Sequence, residues 1–142
     1  MKKYILITLF CFVCIACDNK YEDMPKAQEL VSNISYRKLT SVMVSGIPLS
    51  VTVLEINDSR CPINADCISV GKVIVKFSLS DGANNTEASI ELINDEKDKT
   101  VQSFKLGDQS YSIKIHEVSP YPEIFKTINP EDYKVSLTIE KI

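Results

Sequence analysis

From about residue 33 to the carboxyl terminus, apolar and polar residues take turns, and this period of two constrains the fold more than any other feature. Only an extended strand sends neighbouring side chains to opposite faces, so an alternating chain is suited to burying one face of a sheet. Val73, Val75, Phe77 and Leu79 interleave with Ile74, Lys76, Ser78 and Ser80. Ala88, Ile90 and Leu92 alternate with Glu87, Ser89 and Glu91, and Tyr111, Ile113 and Ile115 with Ser112, Lys114 and His116. Tyr133, Val135, Leu137 and Ile139 against Lys134, Ser136, Thr138 and Glu140 give the last clear case. Less tidy stretches over 34–44, 47–56 and 101–106 bring the expectation to about seven strands. Turn chemistry separates them at Ser45-Gly46, Asp58-Ser59, Asp81-Gly82, Gly107-Asp108 and Asn129-Pro130. No amphipathic segment of helical length interrupts the pattern, which excludes a parallel α/β sheet. The expected fold is all-β: an antiparallel β-sandwich, immunoglobulin-like, with a small β-barrel as runner-up.

The first residues follow a different logic. Lys2 and Lys3 precede an apolar run over 4–16. At about 1.5 Å per residue that run is too short to cross a hydrocarbon core about 30 Å thick, and its layout is that of a signal peptide. The run closes on Val13-Cys14-Ile15-Ala16-Cys17, which resembles a bacterial lipobox, with Cys14 where that motif usually has Leu. The resemblance implies cleavage after Ala16, lipidation of Cys17 and stable anchorage in a lipid bilayer by several acyl chains. A secreted chain cut at the same place is the alternative. The expected organisation is a lipoprotein signal peptide at 1–16, the lipidated cysteine and a polar tether at 17–32, and a β-sandwich domain at 33–142. Such a chain is exported and lipid-anchored in the cell envelope, at the outer membrane or the periplasmic face. Removing Lys2 and Lys3 from 16 basic residues leaves 14 against 19 acidic ones, a charge of −5. With no basic stripe, nucleic acid is excluded as a partner.

Two cysteines remain in Asp58-Ser59-Arg60-Cys61-Pro62-Ile63-Asn64-Ala65-Asp66-Cys67. In an exported chain this pair reads as a structural disulfide. Zinc needs about four ligands, and His116 is the only histidine. Thioredoxin-like chemistry uses two intervening residues rather than five. Within the loop, Pro62 restricts the backbone, Asp58 or Ser59 is placed to bond nearby backbone groups, and Arg60 is expected to pair with Asp66.

The run from Asp58 to Pro62, with Cys67 and then Gly71 ahead of a valine-rich strand, resembles a group of small bacterial lipoproteins and secreted proteins. The later Val118-Ser119-Pro120-Tyr121-Pro122 and the strand after it are similar to that group as well. The likeness covers roughly residues 47–142 and departs at Ser69-Val70, where Trp-Ala is common. It implies an architecture and no particular activity.

Chemistry-bearing motifs are sparse. A Ser/His/Asp triad would have to use His116, which reads as a surface residue. Carboxylate pairs sit in no recognisable motif, and four glycines make no phosphate-cradling loop. Asp81-Gly82-Ala83-Asn84-Asn85 and Asn94-Asp95-Glu96-Lys97-Asp98 carry oxygen donors, but they lack EF-hand spacing and read as hairpin turns. No catalytic residue, metal or cofactor is therefore expected. Tyr121, Ile124 and Phe125, in a proline-stiffened loop, are the candidate partner-binding residues. The same side chains could instead plug the open end of the sandwich, and burial decides between the two. The expected role is a non-enzymatic binding or interaction module whose partner is an envelope protein or a glycan. The alternative is a protease or enzyme inhibitor presenting the Cys61–Cys67 loop.

Overall fold

A computed structural model describes residues 31–93 and 100–142. The expected signal segment, Cys17 and the expected tether through residue 30 lie outside the described residues, as does the segment Asn94–Asp98, expected as a hairpin turn. Among the described residues eight strands are formed: β1 (Ser32–Ser35), β2 (Thr40–Val44), β3 (Ile47–Asp58), β4 (Val73–Ser80), β5 (Asn85–Leu92), β6 (Val101–Leu106), β7 (Gln109–Ser119) and β8 (Lys134–Lys141). They make two four-stranded antiparallel sheets, ordered β1-β8-β7-β6 and β2-β3-β4-β5. The sheets are not closed into a barrel, and the molecule is a β-sandwich. Within it β2 to β5 and β6 to β8 follow one another as meanders, and β1 joins the second of these beside β8, the last strand of the chain.

Eight strands appear instead of about seven because the stretch 34–44 divides between the two sheets. Arg37 takes a φ of 52°, and its N–H bonds the Val53 carbonyl at 3.0 Å, so the chain leaves β1 in one sheet and enters β2 in the other. The alternation then does what its period requires. Leu49, Val51, Val53, Val75, Phe77 and Leu79 of one sheet, and Ile34, Ile113, Ile115, Val135 and Leu137 of the other, are all buried in a single core. On the solvent side of the second sheet, Lys76–Glu87 at 2.6 Å and Lys72–Glu91 at 2.9 Å are exposed ion pairs of little energetic weight.

Two bulges break the period. In β3, Val53 pairs with Phe77 and Glu55 with Lys76, which leaves Leu54 as an extra residue. Before it the odd-numbered residues face inward; after it Ile56 and Asp58 do, opposite Val75 and Val73. In β7 the extra residue is His116, between Ile115 and Glu117, and Val118 takes up the inward phase. Each bulge thus decides which side chains of the strand's last turn point into the sandwich.

The two ends of the sandwich differ. One end carries the tight turns at Ser45-Gly46, 81–84 and Gly107-Asp108. Ser45 and Gly46 both have positive φ, 50° and 83°, as a two-residue type I′ hairpin requires. The other end carries the long connections, 59–72 between β3 and β4 and 120–133 between β7 and β8. Connections of more than roughly a dozen residues are uncommon in compact domains and are frequently functional.

Candidate functional site

The two long connections are joined by a buried charge cluster. Asp58 and Arg60 are two residues apart in extended chain, so their side chains leave on one face. The guanidinium grips the carboxylate in a fork, Nε to Oδ1 at 2.8 Å and Nη2 to Oδ2 at 2.6 Å. Its remaining donors cross to the end of β7 and the start of the β7–β8 connection: Nη1 bonds the Val118 carbonyl at 2.8 Å and Nη2 the Pro120 carbonyl at 3.1 Å. Tyr133 donates its hydroxyl to Asp58 Oδ2 at 3.0 Å, and the Tyr121 ring lies 4.4 Å from Arg60 Cζ in a cation–π contact. Arg60 is 5% exposed. The pairing expected with Asp66 is therefore corrected. The β3 bulge turns Asp58 inward to the guanidinium, while Asp66 sits exposed on the loop.

The electrostatics follow from this packing. Burial by itself raises the Asp58 carboxyl, but hydrogen bonds and charge from Arg60, with help from Tyr133, outweigh it and hold Asp58 below the ordinary aspartate value. Burial, and then the neighbouring Asp58 charge, push the Tyr133 phenol up to about 12. A buried, forked ion pair of this kind stabilises little relative to an apolar replacement, but losing one partner strands the other.

Around the cluster the first connection is shaped by three constraints. Cys61 and Cys67 form a disulfide. Ser59 N–H and its Oγ both bond the Lys72 carbonyl, at 2.8 and 2.9 Å, and Cys61 N–H bonds the Val70 carbonyl at 2.9 Å. Gly71 has a φ of +68°, and a Cβ there would overlap the Ser59 carbonyl, so this close approach admits only glycine. The disulfide loop then meets the second connection through a short parallel bridge between Ile63 and Glu123. In it Ile63 N–H reaches the Pro122 carbonyl at 2.8 Å, and Ile124 N–H approaches the Ile63 carbonyl at 3.5 Å.

On this frame Tyr121 and Ile124 are half-buried, and Phe125 stands fully in solvent at 105% exposure. Plugging the sandwich end thus does not describe Phe125. Its φ of 64° puts a bulky aromatic residue in the left-handed region that favours glycine, a strained position. Ile68, beside Cys67, is 110% exposed, and Ile63 and Val70 also show apolar surface. These three were not among the residues singled out from sequence, and Asp58, Arg60 and Tyr133, though each was named there, were not expected to meet in one cluster. The i, i+2 spacing of Asp58 and Arg60 was the available signal, whereas Tyr133 reads only as the first inward residue of the last alternating run, just ahead of β8.

Elsewhere, His116 is exposed on its bulge, with Nε2 2.8 Å from Thr138 Oγ1. A depression of about 240 Å³ lined by Val101, Ser112, Lys114, Thr138 and Glu140 is smaller than the roughly 300–1,000 Å³ usual for ligand pockets. Asp81 Oδ1 accepts the Ala83 and Asn84 amides at 2.9 and 2.7 Å, so its carboxylate is engaged in closing a turn. No group of three or more His, Cys, Asp or Glu placed to hold a metal ion occurs among the described residues, and no helix among them is long and apolar enough to cross a membrane. No protein-family model, curated protein or solved structure matches this chain.

Proposed function

We propose that this chain is a non-enzymatic binding module of the cell envelope, tethered to the bilayer through acylated Cys17, that engages its partner with the loop end of the sandwich. The observation that carries this reading is Phe125, which is fully exposed and held at positive φ. Exposure of a large aromatic ring and left-handed backbone at a non-glycine residue are both unfavourable in the isolated domain. Packing inside the domain offsets neither, whereas docking into an apolar pocket offsets the first. The Arg60 cluster and the Ile63–Glu123 bridge support the same reading, because a pre-ordered loop loses less entropy on binding. An inhibitor inserting the Cys61–Cys67 loop into an enzyme cleft is less well supported, since Ile63 already directs its N–H and C=O to the neighbouring connection.

In-cell photo-crosslinking of the full chain tests the proposal, with a photoreactive residue at exposed Thr127. The expected result is one crosslinked protein species that disappears in Phe125→Ala. Crosslinks that are absent, or that persist unchanged in Phe125→Ala, would overturn it.

A further inference from the structure

The two sheets end in four edge strands, β1, β6, β2 and β5, and these are not alike. An edge exposes unpaired backbone groups, and soluble proteins guard it with charge or brevity. β5 carries Glu87 and Glu91, β6 carries Lys105, and β1 spans four residues with its apolar residue, Ile34, buried. β2, Thr40-Ser41-Val42-Met43-Val44, has no charge, no proline and no bulge. It shows solvent Met43, 52% exposed, and Leu39, just ahead of the strand and 74% exposed, on either side of exposed Ser41.

Hydrogen-bond parity fixes what this edge can accept. Val44 and Ile47 flank a two-residue turn and so exchange hydrogen bonds; Val42 with Leu49 and Thr40 with Val51 do likewise. The backbone groups of Ser41 and Met43, and of Leu39 once the strand is continued by one residue, are then directed away from β3. No hydrogen bond between described residues engages them. A second β2 strand lying antiparallel must pair outward residues with outward residues. With Ser41 opposite Ser41 of the second copy, Leu39 falls opposite Met43 and Met43 opposite Leu39. That register uses three residues of each strand for about six backbone hydrogen bonds, and it sets an apolar pair on each side of a serine pair. Sliding by two residues loses hydrogen bonds and puts an apolar residue against Ser41. The strand is its own complement.

Charge and anchorage agree with this pairing. Arg37 falls beside Ser45 of the second copy, so the two Arg37 positions stand about 27 Å apart, beyond screened repulsion. The two-fold axis is perpendicular to the sheet, so both copies turn the same layer to the same side. β1, the first described strand, packs over β2 and β3 near that axis. Both tethers therefore start on one side of the pair, as anchorage in a single bilayer requires.

We propose that β2 is a homodimer interface, at which two copies join edge to edge into one continuous eight-stranded sheet centred on Ser41. This lies beyond the binding-module reading and on a different surface. So short an edge makes a weak pair in free solution, and confinement to one bilayer raises the effective concentration.

The test is oxidative crosslinking of the full chain in cells. Paired Ser41 positions lie about 5.5 Å apart between Cα atoms, within disulfide range. Ser41→Cys is expected to form a homodimer, whereas wild type and Ser103→Cys, on the β6 edge, are not. Coexpressed Leu39→Cys and Met43→Cys chains, carrying different tags, should crosslink to each other and not to themselves, because like positions are about 14 Å apart. Ser41→Lys added to both chains, at an exposed site, should leave melting unchanged and cut the mixed product about fivefold or more. A Ser41→Cys homodimer no more abundant than that of Ser103→Cys, like-with-like products equal to the mixed one, or a mixed product indifferent to Ser41→Lys would overturn the proposal. A Ser41→Cys product with a different protein in place of the homodimer would assign the edge to that protein instead. The Thr127 and Ser41 crosslinks report separate surfaces, so either reading can fail alone.

Discussion

Arg60 shows how one side chain can decide the geometry of a whole end. Its fork holds Asp58, its other donors reach the Val118 carbonyl of β7 and the Pro120 carbonyl of the opposite connection, and its face carries Tyr121. Arg60→Ala leaves the Asp58 carboxylate buried without its partner and is expected to cost about 3–5 kcal/mol in chemical denaturation. Asp66→Asn, which alters the partner expected from sequence, should stay within about 0.5 kcal/mol of wild type. The pH dependence follows from the same atoms. Asp58 is lowered in the folded state, so its contribution is present above the unfolded aspartate value and is lost as pH falls through the folded one. Tyr133 is raised to about 12, against an ordinary tyrosine value of about 10. Its contribution is complete below about pH 10 and is lost as pH rises from there to about 12. Alkaline unfolding of the wild type should therefore steepen across that window, and Tyr133→Phe should lack this component, with a loss of about 1 kcal/mol at neutral pH for the missing hydrogen bond.

At the scale of elements, the Cys61–Cys67 loop braces its neighbour rather than the core. Closing a loop this short contributes only about 2.4 kcal/mol on chain-entropy grounds. Its structural reach is through Ile63, whose backbone meets Pro122 and Ile124. The double variant Cys61→Ser, Cys67→Ser should lower stability by about that amount. Hydrogen exchange should then speed up at the Ile63 and Ile124 amides while the amides of β4 and β7 keep their relative protection. Equal acceleration everywhere would mean that the bridge supports the whole sandwich. The alternation within β4, β5 and β8 is legible residue by residue, because in a regular ladder the side-chain parity is carried by the sequence alone. The bulges at Leu54 and His116 were not legible. A bulge is one unpaired residue relative to a partner strand, and its position depends on what that strand does. For this reason the inward turn of Asp58 could not be foreseen, and the Arg60 pairing was expected at the wrong carboxylate.

For the whole molecule, the division of labour is between a turn end that closes hairpins and a loop end that presents side chains. Two phenylalanines mark the contrast. Phe77 is wholly buried, and Phe77→Ala should cost about 3–5 kcal/mol. Phe125→Gly removes a side chain that packs on nothing in the core and relieves left-handed strain. It is expected to raise stability by roughly 0.5–1 kcal/mol while abolishing the Thr127 crosslink. A residue whose removal stabilises the domain and eliminates binding is retained for recognition. Anchorage belongs to this scale too: Cys17→Ala should leave the membrane fraction or fail to be processed, and unchanged fractionation would count against the lipid tether.

The amino-acid sequence alone determined the all-β class, the inward residues of the regular strands, most of the turns and the pairing of Cys61 with Cys67. Each of these rests on local information: a period of two, backbone preferences at turns, or the parity of a cysteine count. Tertiary structure alone decided that residues 34–44 divide between two sheets, that β3 and β7 shift phase, and that Arg60 links the two long connections. It also decided that Phe125 faces solvent while Tyr121, four residues earlier, packs on a guanidinium. Those outcomes depend on partners distant in sequence, and no local pattern records which of two neighbouring apolar residues will find one.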